Sequence, residues 1–254
     1  MRLFDSHSHL DVPEFDADRD AVIARAIEAG VEEQLVPAVD HDTWPGLRAV
    51  CASNPGLHAA YGLHPVYLSR HRPEHLQALG DWIERERPRA VGEIGLDFFI
   101  DGLDPEQQRH YFHGQLKLAR DFDLPVVVHA RRAVEEVTQS LRRIGGLRGV
   151  IHSYSGSEEQ ARQLFELGFM IGIGGPLTYD RARRLHRLVA GMPIEFLLLE
   201  TDSPDQPDAD HRGQRNEPAR IRIVLEKVAR LREASPDSIA EATRANARRL
   251  LRLD

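Results

Sequence analysis

The sequence predicts an α/β fold, a (β/α)8 TIM barrel with C-terminal capping helices, on three observations. Eight short apolar runs of strand character alternate with stretches of helical periodicity along the whole chain, the alternation that yields one parallel sheet. A length of 254 residues suits eight β/α units, since such barrels typically take about 250 residues. No Ser/Gly linker, charge block, repeat or low-complexity stretch divides the chain, so residues 1–254 read as a single domain. A doubly wound open sheet is the alternative that the same alternation allows.

The elements follow in order. The first strand, 3–6, runs into His7 and His9. A helical pattern over 18–29 ends at Gly30, a residue that accepts the left-handed turn after a helix. Strands at 33–39 and 57–62 precede a helix over 73–85 and a fourth strand at 89–94. Asp104-Pro105 supplies an N-cap and a proline at the first helical position, starting a helix over 105–122. The fifth strand, 125–129, contains the β-branched run Val126-Val127-Val128 and is followed by a helix over 132–144 that stops at Gly145. A sixth strand covers 149–153. Ser157 and Gln160 have capping-box spacing, and Gly168 and Gly191 stand where two more helices should end. Strands seven and eight lie at 169–173 and 195–199. Two last helical patterns, 218–231 and 237–253, are expected to cover the final strand and seal the bottom of the barrel.

Bulk properties exclude several classes. Hydrophobic residues make up 41% and charged residues 29%, an ordinary composition for a soluble chain. No run approaches the ~20 apolar residues that span a membrane, and the N-terminus lacks the apolar core of a signal peptide. Cys51 is the only cysteine, so no internal disulfide forms and a reducing, cytoplasmic setting is expected. Among small residues before Pro55 it reads as a packing residue rather than a nucleophile. A net charge of −7 argues against a broad electrostatic grip on nucleic acid and leaves only a local basic cluster for that role. No obligate protein partner is evident.

The chemistry gathers at the strand ends, where a (β/α)8 barrel builds its active site. Asp5, His7 and His9 alternate along an extended segment and so point to one side. His64 follows strand three, Glu93 ends strand four, His129 strand five and His152 strand six, and Asp202 follows strand eight. Leaving His64 aside, these are six candidate metal ligands: His7, His9, Glu93, His129, His152 and Asp202. Each taken singly could be a capping or solvated residue, but four imidazoles and two carboxylates on one barrel face are what metal catalysis requires. One ion would be over-supplied, so two ions with a bridging carboxylate suit the set better, an arrangement that hydrolyses phosphoesters or amides. Gly92 and Gly95 flank Glu93 and permit close backbone approach there. Glu200 and Asp202 are two acids on the same face, two residues apart, after an apolar strand. Arg131, on the same strand face as His129, could clamp a phosphate oxygen or pair with Glu135.

The ordered motifs Asp-Ser-His-Ser-His (5–9), Gly-Leu-His-Pro (62–65), Gly-Glu-Ile-Gly-Leu-Asp (92–97), Pro-Val-Val-Val-His-Ala-Arg (125–131), Ile-His-Ser-Tyr-Ser-Gly (151–156), Glu-Thr-Asp-Ser-Pro (200–204) and Arg-Asn-Glu-Pro (215–218) resemble the TatD-type metal-dependent deoxyribonucleases over nearly the whole chain. The resemblance implies one ion held by His7, His9, Glu93 and Asp202, and a second by Glu93, His129 and His152, with Glu93 bridging. It implies that Asp202 also orients or deprotonates the attacking water and that His64 contacts the phosphate, where the residue type alone suggests only a turn histidine before Pro65. The cofactors implied are two divalent ions drawn from Zn, Mn, Ni or Mg, and the substrate single-stranded DNA or a small phosphodiester, cleaved with 3′–5′ deoxyribonuclease-like polarity.

Two departures from the family pattern stand out. Ser153-Tyr154 replace the usual Cys or Gly followed by Phe, a mild change. Asp205, Asp208 and Asp210 occupy a loop where many members are aromatic and apolar, and three acids beside the mouth would repel a polyanion. That loop and the acidic net charge leave open an amidohydrolase-like enzyme cleaving a C–N bond of a small substrate. A metal-binding protein without turnover is the third reading, which the candidate proton acceptor Asp202 opposes. The remaining histidines (41, 58, 71, 75, 110, 113, 186 and 211) read as surface or packing residues.

Overall fold

Strands β1 (Leu3–Asp5), β2 (Val31–Pro37), β3 (Leu57–Tyr61), β4 (Ala90–Asp97), β5 (Val126–Arg131), β6 (Gly149–Ile151), β7 (Phe169–Ile173) and β8 (Leu197–Leu199) pair side by side in chain order, each with a parallel neighbour. The computed structural model describes residues 1–253; the last residue of the expected 1–254 domain lies outside the described residues. The sheet closes on itself: the Ser6 and His9 amides donate to the carbonyls of Leu199 (2.9 Å) and Ser203 (2.8 Å), and the Asp202 amide to that of His7 (2.9 Å). This closure decides for the barrel over the open sheet.

Between the strands lie α1 (Arg19–Glu28), α2 (Trp44–Ser53), α3 (His75–Glu86), α4 (Pro105–Asp121), α5 (Val134–Ile144), α6 (Glu158–Glu166) and α7 (Arg183–Gly191), followed by α8 (Ile221–Leu231) and α9 (Pro236–Leu251). Asp104 caps α4 as expected, accepting the Glu106 amide at 2.9 Å, and Ser157 and Gln160 form the capping box of α6. Gly191 is the last residue of α7 and not the residue beyond it; Met192, in extended conformation, ends the helix. Helix α2 escapes sequence reading because Trp44-Pro45-Gly46 looks like a turn, yet proline is tolerated in a helix's first turn.

One buried side chain from every strand fills the barrel's lower interior: Phe4, Leu35, Ala60, Ala90, Val127, Val150, Met170 and Leu198. Ala247, Leu250, Leu251 and Leu253 pack onto this layer from α9 and the residues after it, sealing the bottom as the sequence predicted. Arg244 and Arg248 of α9 hold Glu33 of β2 at 2.9 and 2.5 Å, fixing the seal. Two residues further up the same inward side, Val127 gives way to His129, Val150 to His152 and Leu198 to Glu200. The apolar floor thus sets the register of the polar layer above it. Strand β4 is longer than expected, reaching Asp97 opposite Arg131, so Glu93 lies within the strand and not at its end.

Candidate metal centre

Glu93 is the hub. Buried on all sides, its Oε2 lies 3.1 Å from His7 Nε2 and 3.3 Å from His9 Nε2, while its Oε1 lies 2.9 Å from His64 Nε2, 3.2 Å from His129 Nδ1 and 2.8 Å from His152 Nε2. Asp202 closes the first side, with Oδ1 3.4 Å from His7 Nε2 and 3.7 Å from His9 Nε2. The two oxygens of one carboxylate therefore face two separate clusters. Gly95 makes the approach possible: its φ is +145°, and a Cβ there would strike the His129 carbonyl.

Hydrogen-bond partners fix which ring nitrogen faces inward. His9 Nδ1 sits 3.1 Å from the Pro37 carbonyl, so it carries the proton and Nε2 offers its lone pair to the centre. His129 Nε2 sits 2.9 Å from Asp97 Oδ2, which turns Nδ1 inward as an acceptor. His64 is the opposite case. Its Nδ1 accepts the Val66 amide at 3.1 Å, so the neutral ring carries its proton on Nε2 and presents a donor. His64 thus stands nearer Glu93 than every imidazole but His152, yet its proton is placed to donate rather than its lone pair to ligate.

Electrostatics express the same crowding. Burial works to raise the Glu93 carboxyl, but His64, His152, His7 and His129 hold it well below the usual carboxylate range, and it stays ionised. Burial lowers His64 to about 4, consistent with a neutral ring. Burial, reinforced by the neighbouring His152, also depresses His7. Burial opposes the charge on His9 and His152 as well, but the Glu93 carboxylate outweighs it and raises them to about 9 and about 10. Asp202 is raised, first by burial.

The donor set suits a divalent transition ion. Neither Glu93 oxygen is hydrogen-bonded, and Nδ1 of His7 and of His152 are also without partners. Ring nitrogens of His7 and His9 lie 3.1 Å apart, and those of His129 and His152 3.2 Å. Lone pairs this close need a proton or a cation between them, and imidazole with carboxylate is a common environment for Zn²⁺ and its neighbours. Three triads have atoms close enough to share an ion: His7, Glu93 and His152; His7, His9 and Asp202; His64, Glu93 and His129.

Several expectations need correction. Asp5 does not converge on the centre; it accepts from Thr201 Oγ1 at 2.6 Å and from the Thr201 amide at 3.0 Å, clamping β1 to the exit of β8. Burial raises it to about 7. Glu200 and Asp202 do not continue one regular strand face, because Asp202 takes a left-handed backbone (φ 56°); its Oδ1 turns to His7 and His9. Glu200 instead accepts the Ser153 amide at 2.5 Å, 3.9 Å from His152 Nδ1, in space that a Cβ at Gly172 would fill. Arg131 does not pair with Glu135, which accepts from Gln139; its guanidinium lies 3.7 Å from the centroid of the Phe99 ring. Of the three loop acids only Asp205 lines the cavity; Asp208 is buried and held by Arg220 at 2.7 Å. Cys51 is half-buried, with its thiol pushed up to about 12 by burial, which suits the packing role expected of it.

Sequence reasoning missed the supporting roles of four residues. Asp97 orients His129; burial raises its carboxyl, but hydrogen bonds from His129 and the Phe99 amide outweigh this and hold it at about 2. Gln206 donates to Asp202 Oδ2 and accepts from Ser153 Oγ at 2.8 Å, leaving Asp202 Oδ1 for the centre. His71 Nε2 donates to the His64 carbonyl at 2.8 Å. Glu200 holds the Ser153 amide beside His152. Spacing within the sequence signals Asp97, four residues past Glu93 on the same strand; nothing local signals Gln206.

The centre opens into a cavity of about 1020 Å³. Its walls carry Tyr67, Ile100, Arg131, Arg181 and Arg184, with Glu14 and Asp205 also on the lining. No described helix is long and apolar enough to cross a membrane.

A chain with this barrel and this cluster has many relatives. YjjV of Escherichia coli K12, an uncharacterized metal-dependent hydrolase, is 40% identical over 95% of this chain and 94% of its own length. The crystal structure of YjjV superposes with a TM-score of 0.94 at 39% identity, covering 98% of this chain and 97% of that one. A protein of Erwinia tasmaniensis named 3′-5′ ssDNA/RNA exonuclease TatD is 34% identical over 99% of this chain and all of its own. The family model for TatD related DNase matches residues 4–252, which takes in every residue of the centre from His7 to Asp202, and the chain belongs to that family.

Proposed function

We propose that the chain is a two-metal hydrolase of phosphodiesters that removes nucleotides from single strands or DNA ends, with 3′–5′ polarity. The observation that carries the two-metal reading is the division of Glu93, with Oε2 toward His7 and His9 and Oε1 toward His129 and His152. His7, His9, Glu93 and Asp202 would hold one ion, and Glu93, His129 and His152 the other. Four imidazoles favour Zn²⁺, Mn²⁺ or Ni²⁺, with Mg²⁺ able to support turnover when abundant. Two ions bound there would activate water and neutralise charge on the phosphate oxygens. The chain's own groups do the rest. Asp202, its Oδ2 held by Gln206, offers Oδ1 to accept a proton from the attacking water. His64 points its Nε2–H into the site, where it donates to a non-bridging phosphate oxygen. Arg131 supplies positive charge at the wall.

The match over 4–252 supports reading the chain as one domain. The lone Cys51 suits a reducing cytoplasm. Single-stranded DNA, bis-p-nitrophenyl phosphate and a dihydropyrimidine-type amide, offered in turn to metal-loaded protein, test the reading. Hydrolysis of the two phosphodiesters and not the amide is expected. Hydrolysis of the amide alone would replace the nuclease by an amidohydrolase, and turnover of none would leave a metal-binding protein.

A further inference from the structure

Phe99 and Ile100 are among the few large apolar side chains exposed on this protein, and they stand together where β4 leaves the barrel, Phe99 being 44% exposed. Isolated exposed apolar residues are ordinary, but the surroundings of this pair are not. The guanidiniums of Arg131 and Arg132 lie 3.7 and 4.6 Å from the Phe99 ring centroid. Neither forms an ion pair or donates a side-chain hydrogen bond among the described residues, although many other arginines here hold a carboxylate. Ile100 and Arg131 line the cavity that holds the metal centre.

The same loop is tied to the centre. Asp97 Oδ1 accepts the amides of Phe99 (2.9 Å) and Ile100 (3.1 Å), while its Oδ2 faces His129 Nε2 at 2.9 Å. One carboxylate therefore fixes both a ligand of the centre and the loop that carries the aromatic ring. An exposed ring with two guanidiniums over it that hold no carboxylate, joined rigidly to a hydrolytic centre, is a combination that holds single-stranded nucleic acid: bases stack on the platform of ring and guanidinium planes, and phosphates meet the arginines.

We propose that Phe99, Arg131 and Arg132 form a subsite for the nucleotide next to the scissile phosphate, so that the strand enters over the β4–β5 side of the mouth. This rests on the phosphodiesterase reading above and adds to it the residues that grip the polymer. It also accounts for a nuclease of net charge −7, because a short strand needs only a local patch.

Fluorescence anisotropy of labelled pentathymidylate in EDTA, with no turnover, tests the subsite in wild type, Phe99→Ala, Phe99→Leu, Phe99→Trp and Arg131→Gln/Arg132→Gln. Loss of one stacked base is expected to weaken binding about 5- to 100-fold in Phe99→Ala and Phe99→Leu at every salt concentration, with Phe99→Trp restoring it. The arginine double variant should lower the slope of log affinity against log salt by about 0.7 for each phosphate it no longer neutralises. On metal-loaded protein, the Phe99→Ala loss should appear in KM for the oligonucleotide more than in kcat. No binding by wild type, equal affinities across the Phe99 series, or rescue by leucine would overturn the subsite. If wild type still hydrolyses bis-p-nitrophenyl phosphate in that case, the phosphodiesterase reading survives alone. Failure to hydrolyse either ester would bring down that reading, and the subsite with it.

Discussion

Asp202→Asn keeps an oxygen at the ligand position but cannot accept a proton. It is expected to retain most of its metal and to lose rate by ~10²-fold or more, the usual scale for a missing general base. Kinetics paired with metal quantification would check this, and near wild-type turnover would leave Asp202 a ligand only. Asp97→Asn tests the support behind the ligands. With a neutral amide in place of the carboxylate, His129 Nε2 keeps only a weaker acceptor and its Nδ1 is less firmly turned inward, and metal affinity should fall about 10- to 100-fold. Unchanged affinity in a chelator competition would deny Asp97 that role. The candidate ligands were legible in the sequence because each is a His, Glu or Asp following an apolar run. Their orienting partners were not. Asp97 depends on β4 running past Glu93, and Gln206 reaches Asp202 only through the left-handed backbone at both residues.

Helix α4 shows what the elements add. Gln108 and Gln115 lie seven residues apart, two turns along one face, amid the buried Tyr111, Phe112 and Leu116. Each side chain bonds twice to a strand exit: Gln108 to the amide (2.7 Å) and carbonyl (2.9 Å) of Asp97, and Gln115 to those of Leu63 (2.6 and 3.1 Å). The helix thus completes the backbone pairing of residues that hold His64 and Asp97 in place. Gln115→Leu would bury the Leu63 amide and carbonyl unpaired and should cost about 2–6 kcal/mol in urea unfolding, at roughly 1–3 for each orphaned group. A cost below about 0.5 kcal/mol would mean that water replaces the bonds. Glutamine on an apolar helix face is visible in sequence; the strand it serves is not, since that pairing crosses from α4 to the exit of β3.

At the scale of the whole molecule, alternation and length were enough to read the barrel, and the amphipathic closing helices to read its floor. The charge on the mouth was misread, because sequence proximity placed Asp208 at the rim when Arg220 draws it inward. That pair also sets a pH dependence. Burial opposes the Asp208 charge, but Arg220 outweighs it and lowers the carboxyl below its ordinary value. A depressed folded value means the contribution is complete above the unfolded pKa of about 3.9 and is lost as pH falls below it. The thermal midpoints of wild type and Asp208→Asn should therefore differ at neutral pH and converge below about pH 4; a constant gap would contradict the assignment. The central claim is that Glu93 joins two metal sites, and elemental analysis of protein purified without chelators, then reconstituted, tests it most directly. Two equivalents of divalent metal are expected in wild type, with both lost in Glu93→Ala and only the second weakened in His152→Ala. One equivalent in reconstituted wild type, or a Glu93→Ala protein that keeps a full site, would contradict the account.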